Sequence, residues 1–187
     1  MANTKSNAIT KNYRGKFGNQ FVFRNRFGKS IMAALPVRTN DATTVAQQAV
    51  RKKFANAAKY AKQVLLDPEM LAAYTAKAVD GKSPHIVAMT DYLRNPSIEQ
   101  IDVDGYEGNP GDIIRVEAFD DFKVAEVGVM ILDSNEDVIE AGACQLDTLG
   151  IWWEYTATET VASLPGTEIV ASARDIPGNK ASSSLTL

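Results

Sequence analysis

The sequence predicts an α+β protein in three parts: a basic arm with a β-hairpin over residues 1–42, three short helices over 43–95, and an antiparallel β-sandwich over 96–187. Three observations point to it. Apolar residues recur at steps of three and four between positions 44 and 94, then at steps of two beyond 97. Turn-forming clusters punctuate the second half at regular intervals. Charge divides at the same boundary. Residues 1–95 hold 16 Lys/Arg against five Asp/Glu, a net +11, while residues 96–187 hold four against 18, a net −14, within an overall charge of −3.

Residues 1–40 carry eight basic side chains and no acid. A near-repeat ten residues apart, Lys16-Phe17-Gly18-Asn19 and Arg26-Phe27-Gly28-Lys29, flanks Phe21-Val22-Phe23, which favours a strand. The run Ser30-Ile31-Met32-Ala33-Ala34-Leu35 is the expected hairpin partner, turning at Phe27-Gly28. Pro36, which lacks a ladder donor, ends it. An isolated two-stranded hairpin is marginal in water, so the arm is expected to lean on another surface, either its own helices or a neighbour.

Within the arm, basic and aromatic residues interleave through Tyr13, Arg14, Lys16, Phe17, Phe21, Phe23, Arg24, Arg26, Phe27 and Lys29. Such a pattern pairs phosphates while bases stack on rings, or plugs rings into a neighbour's groove. No helix-turn-helix, zinc-finger or RNP motif accompanies it. Gly28-Lys29-Ser30 ends like a phosphate loop, but Phe23 stands where the first glycine belongs, so the phosphates would have no cradle.

The helical segment opens at Thr44-Val45-Ala46-Gln47, the spacing of a capping box. Ala46, Val50, Phe54, Ala57, Ala61 and Val64/Leu65 then form one apolar stripe, with Arg51, Lys52, Lys59 and Lys62 on the remaining face. Asp67-Pro68-Glu69 restarts a helix through Met70, Leu71, Tyr74 and Ala78, which Asp80-Gly81 ends. Ser83-Pro84 caps a third, with Ile86, Val87, Met89 and Leu93 available for a core, and Asn95-Pro96 stops it. Three short helices make a small core that would gain from covering by the arm.

Seven strands are expected beyond it, over 98–104, 112–119, 124–132, 138–145, 152–159, 168–174 and 181–187. Glycine, proline and aspartate clusters separate them. Seven strands in some ninety residues suit a two-sheet antiparallel sandwich.

Several constellations bear on chemistry. In such a sandwich the second-to-third and sixth-to-seventh strand loops share one end, which gathers Asp120, Asp121, Asp175 and Asn179 into a set of hard oxygen ligands for Ca²⁺. The alternative is a solvated acidic loop making its own turn bonds. Trp152 and Trp153 alternate along a strand, so one ring is expected inward and the other outward, as a surface anchor. The single Cys144 excludes a disulfide framework and reads as a core residue. The single His85 excludes a multi-histidine metal site and reads as a surface residue. No nucleophile–base pair or paired carboxylates across a cleft are visible, so neither an enzyme nor a cofactor is expected. No apolar run approaches the roughly 20 residues of a membrane span, and none follows the first methionine as in a signal peptide.

Three motifs carry a resemblance. Asp120-Asp121-Phe122-Lys123-Val124-Ala125-Glu126-Val127-Gly128-Val129, then Trp152-Trp153-Glu154-Tyr155-Thr156-Ala157-Thr158, then Ala173-Arg174-Asp175-Ile176-Pro177-Gly178-Asn179 resemble bacterial and phage immunoglobulin-like domains over about half the chain. Gly28-Lys29 with Pro36, followed by the Thr44, Gln47, Arg51 and Phe54 pattern, resembles uncharacterised bacterial and phage proteins that open with a Gly-rich basic arm. The resemblance implies an immunoglobulin-like sandwich and a phage-like structural protein made in the cytoplasm and built into a virion or filament. The arm would dock on another copy or another subunit, and the acidic domain would be displayed. A glycan-binding decoration module, or a nucleic-acid-associated protein using the basic half, is the alternative.

Overall fold

Each helix starts where a cap is written. In the computed structural model, which describes residues 2–3, 13–26, 29–35, 44–79 and 81–187, α1 spans Val45–Val64, α2 Pro68–Ala76 and α3 Pro84–Leu93. The Thr44 hydroxyl accepts from Gln47 N at 3.2 Å, and the Gln47 side chain accepts from Thr44 N at 3.3 Å, closing the capping box. Asp67 accepts from Glu69 N at 2.9 Å and Ser83 from Ile86 N at 3.3 Å, each followed by proline in the first turn. Asp80, one of the two residues expected to end α2, lies outside the described residues; the helix ends earlier, at Ala76.

The apolar stripe of α1 is used only in its second half. Ala57 and Ala61 are buried, whereas Val45, Val50 and Phe54 stay exposed because no described element covers them. Ala61, Tyr74 and Ala88 centre the helical core, with Tyr60, Val64, Leu65, Met70, Val87 and Met89 around it. Among the described residues the cover does not come from the arm. Phe122, from the second half of the chain, stacks on Tyr74 with ring centroids 4.0 Å apart.

The arm holds more strands than the expected hairpin. The strands β1 (Ala2–Asn3), β2 (Gly15–Phe17), β3 (Phe21–Arg26) and β4 (Lys29–Ala34) form one antiparallel sheet in the order β1-β4-β3-β2. Arg26 pairs with Lys29 across the hairpin, and the turn residues Phe27 and Gly28 lie outside the described residues, as does Pro36.

The second half forms two four-stranded antiparallel sheets. One holds β5 (Ser97–Asp102), β6 (Ile113–Phe119), β9 (Gln145–Leu146) and β10 (Trp153–Thr156) in the order β5-β6-β10-β9. The other holds β7 (Val124–Leu132), β8 (Val138–Ala143), β11 (Glu168–Asp175) and β12 (Lys180–Thr186) in the order β12-β11-β7-β8. Their inward residues share one core: Ile114, Val116 and Tyr155 from the first, Val127, Val129, Ile131, Ile169, Ala171 and Ala173 from the second.

Two strand expectations are corrected. The run 138–145 is not one strand: it pairs with β7 up to Ala143, and from Gln145 the chain pairs with β10 in the other sheet. Cys144, between them, donates its N–H to the Val127 carbonyl at 2.8 Å and makes the crossing. The run 152–159 is shortened to Trp153–Thr156, because Ala157 N–H turns to the Asp112 carbonyl and Thr158 N–H to the Glu140 carboxylate.

Candidate functional site

The register of the arm sheet sorts its side chains by face. Phe17 lies opposite Phe21 and Phe21 opposite Ala34, while Gly15, Phe23 and Met32 line up alongside. These residues share one face, because directly opposed residues in a sheet point the same way. Lys16, Val22 and Ala33, then Arg24 and Ile31, share the other. One face is thus aromatic and the other carries cations. Phe17 is 67% exposed and Tyr13, whose ring leans on Phe23, is 56% exposed. Of the arm's described side chains only Ser30 is buried. Arg14, Lys16 and Arg24 are exposed, and nothing is described of the side chains of Arg26, Phe27 and Lys29. Among the described residues the arm strands pack on one another and make no substantial contact with a helix or with the two sheets.

A second constellation lies where the helices meet the sheets. Asp91 sits on the inner face of α3, three residues after Ala88. Asp120 directly follows β6 and Asp175 ends β11. The three carboxylates are buried, each offering an oxygen within 4.8 Å of the others. Local backbone geometry orients two of them. Asp120 Oδ2 accepts the N–H groups of Phe122 and Lys123, each at 2.9 Å. Asp175 Oδ1 accepts those of Gly178 and Asn179 at 2.8 and 2.6 Å, and Gly178 adopts φ +95°, which this turn requires. Asp91 Oδ2 accepts the Tyr74 hydroxyl, whose own oxygen lies 3.0 Å from the Tyr60 hydroxyl. Burial pushes Asp91 up to about 7, against the Tyr74 hydrogen bond and with the nearby Asp120 and Asp175 adding to the rise. Burial, then the bond to Asp91, raises Tyr74 far above the usual phenol, so it stays a donor.

Asn179 ties the two halves together. Its side-chain nitrogen lies 2.7 Å from Asp175 Oδ2, 2.9 Å from the Arg94 carbonyl and 3.3 Å from those of Asp91 and Tyr92. It therefore caps the C-terminus of α3, whose last carbonyls have no partner within the helix.

Of the four residues that the sequence grouped as cation ligands, Asp120, Asp175 and Asn179 converge and Asp121 does not. Asp121 points outward and pairs with Arg94. The sequence reading missed Asp91. The available signal was an acid at the i+3 position from Ala88 on an apolar helix face. Trp153 packs against the two-sheet core and Trp152 is half-buried, so neither stands free as an outward platform. His85 is half-buried in the first turn of α3. Cys144 is buried, and burial pushes its thiol up to about 12. No helix among the described residues is long and apolar enough to cross a membrane. No protein-family model matches the chain, nor does any curated protein or solved structure.

Proposed function

We propose that this is a non-enzymatic structural assembly protein, phage-like in kind, whose basic arm docks on a second copy of the chain and whose acidic two-sheet unit is displayed. The observation that supports it best is the arm itself, a single-layer sheet with an aromatic face that no helix or other sheet among the described residues substantially covers. A lone sheet layer gains its stability by adding a surface to that face. Charge favours a second copy as that surface, since residues 1–95 carry +11 and residues 96–187 carry −14. Head-to-tail docking of this kind builds rings or filaments.

The strand order β5-β6-β10-β9 opposite β12-β11-β7-β8 supports an immunoglobulin-like reading of the displayed unit. That fold is shared by many displayed modules and assigns no activity by itself.

The test is the mass and shape of the full chain by light scattering and negative-stain microscopy at low and high salt. An R14E/K16E/R24E variant and a chain lacking residues 1–40 are measured beside it. Oligomers or fibres that dissolve in high salt and are lost in both variants are expected. A 20.3 kDa monomer under every condition overturns the reading. Mobility shift of DNA with a steep salt slope, lost in the same charge-reversal variant, would replace it with nucleic-acid binding.

A further inference from the structure

We propose that Asp91, Asp120 and Asp175 bind one calcium-class divalent cation at the joint between the helices and the two-sheet unit. Proximity of acids alone does not make a site; the fate of their oxygens does. Asp91 is 1% exposed and Asp120 9%, and in each the Oδ1 atom is buried with no donor from any other residue; the two carboxyl groups face each other within hydrogen-bond reach. Buried carboxylate oxygens are nearly always paired, because an unpaired one has lost its water for nothing. Both orphaned atoms belong to residues of the cluster, each of which offers one oxygen within 4.8 Å of the others.

Among the described residues no basic side chain forms an ion pair with them. The three ion pairs among the described residues are Arg94–Asp121, Arg115–Glu154 and Arg174–Glu126, all elsewhere. The donors that reach Asp91 and Asp120 approach the opposite oxygens. Tyr74 takes Asp91 Oδ2, while the Phe122 and Lys123 amides take Asp120 Oδ2. Asp91 and Asp120 are thus oriented from behind, with their Oδ1 atoms left for another charge, while Asp175 already accepts donors on both oxygens. Orientation of this sort is what outer donors supply in cation sites.

The spacing fits calcium. Oxygens bonded to calcium at roughly 2.3–2.6 Å lie at most about 5 Å apart, whereas the bond to magnesium, about 2.1 Å, limits them to about 4.2 Å. Separations within 4.8 Å therefore admit calcium, and admit magnesium only where they fall below about 4.2 Å. Three carboxylates against one dication leave a single residual charge, and calcium fills its remaining positions with carbonyls or water. The ligands come from α3, from the end of β6 and from the end of β11, so the ion would pin the helical unit to the sheets. A site built from oxygens alone selects a hard cation over zinc or copper.

The experiment uses the full chain, stripped with EDTA and exchanged into metal-free buffer. CaCl2 is titrated by calorimetry and by thermal melting, with MgCl2 in parallel. TbCl3 luminescence is excited through tyrosine, because Tyr74 touches Asp91. The expected result is saturable binding at one site per chain. The melting temperature should rise by about 5–10 °C at a calcium concentration one hundred times Kd, with a smaller response to magnesium. Asp175→Asn and Asp120→Asn should each weaken calcium at least tenfold. Asp91→Asn gives Asp120 a neutral amide as neighbour, so in EDTA it should melt no lower than wild type while its calcium-induced rise shrinks. Absence of heat, luminescence and melting shift with millimolar calcium overturns the proposal, and the orphaned oxygens of Asp91 and Asp120 then share a proton instead. Binding that survives all three substitutions also overturns it, since the ion would then sit elsewhere.

Discussion

Replacing Asn179 by alanine tests whether one side chain couples the helices to the sheets. Every neighbour of its amide is an acceptor, namely the Asp175 carboxylate and the carbonyls of Asp91, Tyr92 and Arg94. The amide nitrogen must therefore face them, and its two hydrogens can serve two well. The shortest contacts are 2.7 Å to Asp175 Oδ2 and 2.9 Å to Arg94 O. A bond to an ionised acceptor contributes about 1.5–3 kcal/mol and a neutral one about 0.5–1.5 kcal/mol, so the loss should be roughly 2–4 kcal/mol. For a chain of this size that lowers the melting temperature by roughly 5–15 °C. Urea unfolding in EDTA, followed by tyrosine and tryptophan fluorescence, measures it without interference from bound cations. Asn179→Asp, of the same shape, places an acceptor against acceptors and should cost more than alanine under the same conditions. A loss below about 0.5 kcal/mol for alanine, the range of an ordinary surface change, would refute the coupling.

Three further outcomes are expected. A Cβ at Gly142 would sit 2.7 Å from Tyr155 Cε2, and Tyr155 is buried and bonded to Glu140, so Gly142→Ala should destabilise by about 1–3 kcal/mol in urea unfolding. Burial alone would raise Glu140, but the Thr158 amide and hydroxyl and the Tyr155 hydroxyl, all on Oε2, outweigh it and lower its pKa. A carboxylate with a depressed folded pKa contributes stability above its unfolded value of about 4.3 and loses it as pH falls through the folded one. Melting temperatures read downward from pH 6 should therefore fall below about pH 4.3, and Glu140→Gln should flatten that part of the slope. The Cys144 thiol should resist aromatic disulfide reagents at about pH 8 until urea unfolds the chain; stoichiometric labelling of native protein would show that burial does not protect it.

What the sequence revealed follows from the range of the forces involved. Caps act within four residues, so Thr44, Asp67 and Ser83 marked their helices correctly. The apolar steps of two expected beyond 97 likewise match the buried face of β7, formed by Val127, Val129 and Ile131. Where pairing decides, local pattern misleads. The apolar alternation runs on through Cys144, yet the strand divides there because Gln145 finds β10 while Ala143 still pairs with β7. Asp120 and Asp121 look equivalent as neighbours, but one turns inward to cap its own loop and the other meets Arg94. The α1 stripe is helical throughout, but only its second half meets α2 and α3.

Asp91 shows why the joint could not be read from one segment. It lies 29 residues from Asp120 and 84 from Asp175, so its burial is a consequence of tertiary packing, as is that of its partners. The helical unit has little apolar material of its own, with Ala61, Tyr74 and Ala88 at its centre, and it completes that core by borrowing Phe122 from the β6–β7 turn. An apolar contact of that size would hold the two units together but would tolerate sliding, because burial is non-directional. The Asn179 amide, the aligned carboxylates and the Tyr60–Tyr74–Asp91 chain are directional, and a small rotation breaks several of them at once. Since α1 packs on α3, the same polar joint sets the direction in which the first half of α1 leaves the molecule. Under the proposed docking of the arm on a second copy, that direction matters more than the strength of the joint.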